Sequence, residues 1–305
     1  MTIRIVDEKA DTSFFQDASC AFGVFDGLHL GHRYIINKAF DNREPDCNVI
    51  ILTFDIDPDE IFHPQRLKKL MRNDDRLRAL DELGADYVAC LPFVPSLYSK
   101  SPEQFLADLF GKATPATMHV GEDFKFGARA AGTVKTLHQW GAESGCTVCA
   151  HELVVSDGAP ITSTRIRKAL ERCDVEEAKT LLGRPYRLCE TVHKGRGEGS
   201  SFGFATANLL VKPQDRVLGD GVYAAHAVID GVHYKAAVSV GVSPTFESTT
   251  TANVEAHVLD FEGDLVGKEI ALDFEAFLRP MMKFDSTEEL VATVMSNIEW
   301  VRENL

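Results

Sequence analysis

The sequence predicts an α/β protein in two parts, a parallel sheet with helices on both faces over residues 1–184 and a small antiparallel β-barrel with a terminal helix over residues 185–305. Three observations predict it. Continuous apolar runs alternate with amphipathic helical stretches through the first part, as a sheet covered on both faces requires. Short runs of period-two alternation, separated by turn dipeptides, fill the second. Between them, VEEAKTLLG reads as a closing helix with Gly183 just past its end.

In chain order, SCAFGVF is an apolar strand running into glycine-rich turn residues, and HRYIINKAF is a short amphipathic helix. NVIILTF is a fully apolar strand, DDRLRALDELG a helix stopped near Gly84, and DYVACLPF the next strand. SPEQFLADLFG is a helix with Ser101 as N-cap, Pro102 in its first position and Glu103 in its first turn. ATMHVG and CTVCAHELVV are strands, each followed by a helix, TVKTLHQWGAESG and STRIRKALER. Ligands of such sheets bind beyond the carboxyl ends of the strands. The barrel strands are YRLCETVH, GVYAAHAVI, HYKAAVSVG, ANVEAHVLDF and KEIALDFEAF, with turns at Asp230-Gly231 and Glu262-Gly263-Asp264. Ser286 and Glu289 form a capping box for a last helix that carries Leu290, Val294, Ile298 and Val301 on one face.

With 305 residues, 45% hydrophobic and 26% charged, the chain can bury its own cores without staples. A formal net charge of -14 argues against duplex nucleic acid or an anionic membrane as partner, but not against a small phosphorylated ligand held by a local cluster of donors. No apolar run is long enough to span a membrane, and MTIRIVDEKADTSFF lacks the apolar stretch of a secretory signal. Seven cysteines, an odd number, then read as reduced thiols of a cytoplasmic protein, and a homo-oligomer is compatible with the sequence. Cys146 and Cys149 form a CxxC, but in a β-rich run with no second pair, so they are expected to be buried strand residues rather than a redox or zinc site.

The stretch GVFDGLHLGH, residues 23–32, sits at the end of the first strand. Gly23 and Gly27 bracket a strand-to-helix turn where backbone can approach a ligand, and His29 and His32 stand one turn apart at the helix start. Metal ligands, satisfied structural histidines and phosphate-contacting groups are all open readings; the last fits best, since helix N-terminal amides and imidazole N–H groups suit an anion. ITSTRIRKAL, residues 161–170, is a second helix start, with Ser163 and Thr164 followed by Arg165 and Arg167. It reads either as a plain capped helix or as a pyrophosphate clamp. Two such starts can converge on one polyphosphate.

GxFDGxHxGH followed by a late [ST]-S-T-x-I-R resembles the nucleotidyltransferase superfamily, and nearly the whole chain resembles the bacterial bifunctional riboflavin kinase/FMN adenylyltransferase family. VGEDFKFGARAAGTV (120–134), LLGRPY (181–186), GFATANL (203–209), SVGVSPTF (239–246) and VEAHVLDFEGDLVGK (254–268) are similar to the family's further segments. The resemblance implies a nucleotidyltransferase-type sheet in residues 1–184 and a riboflavin kinase barrel in residues 185–305. The first would bind ATP through Gly23, Phe25, Asp26, His29, His32, Ser163, Thr164 and Arg167, and flavin through Asp123 and Phe124. His29 and His32 would stabilise charge as pyrophosphate leaves. Asp123-Phe124, without the family, reads as a strand-end turn.

In the second part the resemblance implies Thr206 and Asn208 as Mg2+ and phosphate ligands, oxygen donors suited to that ion. Gly195, Gly197 and Gly199 would belong to a phosphate-covering loop with ATP beneath it, and Glu255 would be the general base on riboflavin. Strand period sends Val254, Ala256 and Val258 to one face and Glu255 to the other, where it reads equally as a solvated residue. The implied function is FAD synthesis in two steps from riboflavin, FMN and ATP. A flavin- or nucleotide-binding sensor or store with one active module is the alternative. Four positions depart from the family: Ile56 and Asp57 stand where Pro and His are usual, Ala205 stands where the kinase motif has Pro, and Thr162 replaces a usual Ser.

Overall fold

A computed structural model describes residues 2–111, 113–195, 206–212, 215–241 and 252–305. The chain divides into two compact units. Met1–Leu67 with Arg72–Thr162 form the first, and Lys68–Met71 with Ser163–Leu305 form the second.

The first unit is built on a six-stranded parallel sheet in the order β1-β4-β3-β2-β5-β8. Its strands are β1 (Ile3–Ile5), β2 (Ser19–Phe22), β3 (Val49–Phe54), β4 (Tyr87–Leu91), β5 (Thr117–Gly121) and β8 (Thr147–His151). Every residue of β2 and β3 is buried, which is why their sequences run apolar without alternation. The connecting helices are α1 (Leu30–Asp41), α2 (Asp59–Phe62), α3 (Asn73–Asp81), α4 (Pro95–Tyr98), α5 (Pro102–Phe110) and α6 (Val134–Ser144). The α5 start has the expected form: Ser101 accepts from the Gln104 amide, Gln104 answers in a capping box, and Pro102 opens the helix. An aromatic-rich core joins Phe15, Phe22, Phe105, Phe110 and Leu137 to the sheet.

Five short strands of this unit escaped the sequence pattern. β1 pairs in parallel with β4 at the sheet edge. CTVCAHELVV stops being sheet at His151, and a two-residue hairpin, β9 (Val155–Ser156) with β10 (Ala159–Pro160), follows. Asp157 and Gly158, both at positive φ, turn it. A second small hairpin pairs β6 (Lys125–Phe126) with β7 (Gly132–Thr133).

The second unit opens with α7 (Ser163–Glu171) and α8 (Val175–Leu182), the latter ended by Gly183 at φ 71° as expected. It continues as a closed barrel in the order β11-β12-β15-β14-β13-β16. The strands are β11 (Tyr186–His193), β12 (Ala207–Val211), β13 (Gly221–Ile229), β14 (Val232–Val240), β15 (Ala252–Val258) and β16 (Glu269–Arg279). Asp230 and Gly231 turn β13 into β14, both at positive φ. β12 is the strand the alternation pattern left out, and it closes the barrel between β11 and β15. The last helix, α9 (Thr287–Asn304), is capped by Ser286 accepting from the Glu289 amide, and Ile298 and Val301 bury against Ala224 and Leu259.

Candidate functional site

In the first unit the chain runs from β2 to β3 and β4 on one side and later from β5 to β8 on the other. The topological switch point therefore lies at the carboxyl ends of β2 and β5, where doubly wound sheets bind ligands. The Gly23–His32 turn leaves β2 there, and Asp123-Phe124 leaves β5 there.

The turn is tightly wound. Phe25 at φ 61°, Gly27 at φ 76° and Leu28 at φ 42° all lie in the left-handed region. For Phe25 and Leu28 this costs of order 1–3 kcal/mol each. Both side chains are almost fully buried, so packing holds the conformation. Gly23 has to be glycine because the Phe25 ring lies 2.9 Å from where a Cβ would stand. Gly31 similarly leaves room for the His29 ring, 3.2 Å from its Cβ position.

His29 is the N-cap of α1 rather than a residue of its first turn. Its Nδ1 accepts from the His32 backbone N–H at 3.3 Å. In the neutral ring the proton is then on Nε2, which makes that nitrogen a donor. The two imidazoles stack, with centroids 3.6 Å apart and planes 19° off parallel, and Phe25 meets His32 edge-on at 5.4 Å. His29 and Asp26 are both buried. Among the described residues no group of three or more His, Cys, Asp and Glu gathers as a metal site. Two stacked imidazoles on a helix N-terminus are suited to an anion.

Asp123 is exposed, and its Oδ1 lies 2.9 Å from where a Gly121 Cβ would stand. The Phe124 ring packs on Phe22 at 4.8 Å and on Phe126 at 5.8 Å. Beyond β3 and β4, Phe62 meets Phe93 and Tyr98 edge-on at 5.8 and 5.4 Å while remaining 52% exposed. Sequence reasoning did not single out this aromatic surface. Asp57, at a position where the family usually has His, accepts from the Asp59 amide at 2.9 Å, and its own amide donates to Glu60 at 3.1 Å. Its carboxylate thus organises the start of α2, and Ile56 packs on the core.

Sequence reasoning also missed Arg76, which is 1% exposed. Its guanidinium donates to the carbonyls of Val24 and Phe54 and to Thr53 Oγ1, each at 2.8 Å, and to the Asp55 carbonyl at 3.3 Å. Burial lowers its pKa, opposed by the charges of Asp26, Asp57 and Glu60. Arg76 and Leu80, four residues apart, form the buried stripe of α3.

Ser163, Thr164 and Arg167 fall in the second compact unit. α7 begins at Ser163, so both hydroxyl residues lie inside the helix rather than at its N-cap. Arg165 pairs with Glu177 at 2.9 Å, and Arg167 Nε donates to the Lys68 carbonyl at 2.6 Å.

On the barrel, Asn208 of β12 and Ser239 of β14 flank Glu255 of β15 as its cross-strand neighbours. Glu255 is exposed while Val254, Ala256 and Val258 are buried, as the alternation required. Asn208 Nδ2 donates to the Thr206 carbonyl at 3.4 Å, which leaves the amide oxygen as an acceptor. Gly195 lies so close to that amide that any side chain there would collide with it. Four of the expected residues thus gather on one patch; Gly197, Gly199 and Ala205 lie outside the described residues. Cys146 and Cys149 are free thiols, though not both buried strand residues as expected: Cys146 is buried just before β8 and Cys149 is half-buried within it. Burial pushes the Cys146 pKa up to about 12 and that of Cys149 up as well, so neither has the lowered pKa of a reactive cysteine.

The chain matches the FAD synthetase family over residues 11–165 and the riboflavin kinase family over residues 182–305. It is 33% identical over 285 residues to a protein of Pseudomonas fluorescens named bifunctional riboflavin kinase/FMN adenylyltransferase, covering 92% of this chain and 90% of the relative. The Escherichia coli K12 protein of the same name is 31% identical over 92% of this chain and 90% of its own. A crystal structure from Streptococcus pneumoniae titled macrolide-efflux protein superposes with a TM-score of 0.86 at 28% identity, covering 100% of both chains. No helix among the described residues is long and apolar enough to cross a membrane.

Proposed function

The chain belongs to the bifunctional riboflavin kinase/FMN adenylyltransferase family, and from that premise we propose how its own residues divide the two reactions. It is a transferase with both activities. It phosphorylates riboflavin with ATP to give FMN and ADP, then transfers the adenylyl group of a second ATP to FMN, releasing pyrophosphate and forming FAD. We keep residues 1–184 and 185–305 as the proposed extents of the two catalytic modules.

For adenylyl transfer, the stacked His29–His32 pair at the N-terminus of α1 carries the proposal. ATP phosphates lie against Gly23, the Phe25-Asp26 turn and this pair, where N–H donors and the helix dipole meet the growing negative charge. His29 Nε2 donates to that charge as pyrophosphate departs. No covalent nucleophile is needed, because such a transfer rests on positioning and charge stabilisation. Asp123 and Phe124 at the neighbouring strand end are proposed for the flavin, and the exposed face of Phe62 offers its ring a further stacking surface. Ser163, Thr164 and Arg167 are proposed as ATP-phosphate ligands on the family motif alone.

For the kinase, Glu255 takes the proton of the riboflavin 5′-hydroxyl as it attacks the γ-phosphorus of ATP. Gly195 belongs to the covering loop. Thr206 and Asn208 present neutral oxygens beside the Glu255 carboxylate, a donor set that fits Mg2+ held mainly by substrate phosphates and water. The ion would supply charge neutralisation at the transferring phosphoryl group. Cytoplasmic location and small-molecule partners, with no nucleic acid, complete the proposal; the free thiols and the net charge of -14 support it. Separate assays of FMN formation from riboflavin and FAD formation from supplied FMN, with ATP and Mg2+, test it. Two independent activities support it; a chain active in only one of them would be the sensor or store instead.

A further inference from the structure

We propose that Arg76 is a positioning residue for adenylyl transfer: its guanidinium ties the carboxyl ends of β2 and β3 together and thereby fixes the turn that aims His29 and His32. The acceptors it binds are not scattered. Val24 carries the carbonyl next to left-handed Phe25, and Thr53, Phe54 and Asp55 form the exit of β3. The Val24 carbonyl also accepts from Thr53 Oγ1 at 3.2 Å, so one oxygen joins both strand ends to the arginine.

A planar fork with fixed donor directions suits this set, and an ammonium on a flexible stem does not. The charge has a second use. Asp26 in the turn, Asp57 just before α2 and Glu60 in its first turn all interact with Arg76, so the guanidinium offsets three carboxylates close to where ATP phosphates are proposed to lie. Glu60 in turn accepts from Asn73 Nδ2 at 2.8 Å and from the Asp57 amide at 3.1 Å, joining α3 to the start of α2. Arg76 touches no reacting atom in this arrangement. It acts through the backbone it holds, and a small misplacement of catalytic groups is enough to cost about a hundredfold in rate.

The inference rests on the assignment of ATP to the Gly23–His32 turn, and the experiment separates the two. Arg76→Ala, Arg76→Lys and His29→Ala are made in the full chain. FAD formation from FMN is measured against ATP concentration, riboflavin phosphorylation is measured beside it, and folding is followed by circular dichroism. Arg76→Ala is expected to lower kcat/KM for FAD formation by about a hundredfold, with a raised KM for ATP, while kinase turnover stays within about twofold of wild type. Arg76→Lys is expected to fall between the two. Millimolar guanidinium ion should restore part of the Arg76→Ala activity and none of the His29→Ala activity, because only the former opens a cavity lined by the arginine's acceptors.

Near-normal FAD formation in folded Arg76→Ala, or equal loss of both activities, overturns the inference. If Arg76→Ala does not fold, Arg76→Lys decides on the same criteria, and failure of both to fold makes the residue purely structural and overturns it as well. Near-normal FAD formation in His29→Ala would instead overturn the ATP assignment.

Discussion

His29 caps α1, stacks on His32 and keeps Nε2 as a donor, three consequences of one side chain accepting one backbone N–H. Replacing either histidine by alanine is expected to lower FAD formation by about a hundredfold or more, the loss typical of one preorganised charge-stabilising donor. FMN formation from riboflavin should be untouched, and assaying both products from one preparation checks this. Glu255 has the complementary expectation. A base on a poor hydroxyl nucleophile contributes about 10²–10⁴-fold. Glu255→Gln should therefore remove most FMN formation while leaving riboflavin binding and the adenylylation of supplied FMN intact. Undiminished kinase turnover in that variant would make Glu255 a solvated strand residue. The exposure of Glu255 was legible in the sequence, because period two alone separates it from its buried neighbours, whereas its role as base comes from the family resemblance. Arg76 was not read, because an arginine in DDRLRALDELG looks like solvated helix surface until its acceptors, Val24 beyond β2 and Thr53 to Asp55 at the end of β3, are known.

The packing of α1 on β5 and β8 carries a pH dependence of its own. His119 of β5 is fully buried, its Nδ1 lies 2.9 Å from His151 Nε2 on β8, and its Nε2 has no hydrogen-bond partner among the described residues. Burial, then the charges of His151 and Lys38, hold it down to about 4, with Asp41 opposing. His151, with Tyr34 of α1 edge-on at 5.6 Å, is lowered as well, mainly by burial. Since folding depresses the His119 pKa, the unfolded chain binds the proton first. The stabilising contribution is complete above 6.5 and is lost as pH falls from 6.5 to about 4, about 3 kcal/mol over that window. Urea melts of wild type and His119→Gln across it should show a shallower loss in the variant; parallel curves would contradict the assignment. Long elements such as α5 and β3 were legible from caps and apolar runs. β1 and the β9–β10 hairpin were not, because pairings of three and two residues leave too little periodicity to read. β12 was hidden because its short, closing segment was read for its motif rather than for its alternation.

Taken whole, the chain carries two activities linked through FMN, which one makes and the other consumes, with adenylyl transfer proposed at the switch point of the parallel sheet and phosphorylation proposed at the Glu255 patch of the closed barrel. The family matches, FAD synthetase over residues 11–165 and riboflavin kinase over residues 182–305, fall on opposite sides of the change in strand pattern that the sequence shows. If the two sites use separate residues, a variant dead in one step should be rescued by a variant dead in the other. The direct measurement is FAD formation from riboflavin, ATP and Mg2+ by His29→Ala alone, by Glu255→Gln alone and by an equal mixture of the two. Each variant alone is predicted to make little FAD, His29→Ala stopping at FMN and Glu255→Gln leaving riboflavin unconverted, while the mixture restores FAD formation through FMN released into solution. Failure of the mixture when both proteins are folded, or loss of both partial reactions in either variant, would contradict the assignment of the two reactions to two separate sets of residues.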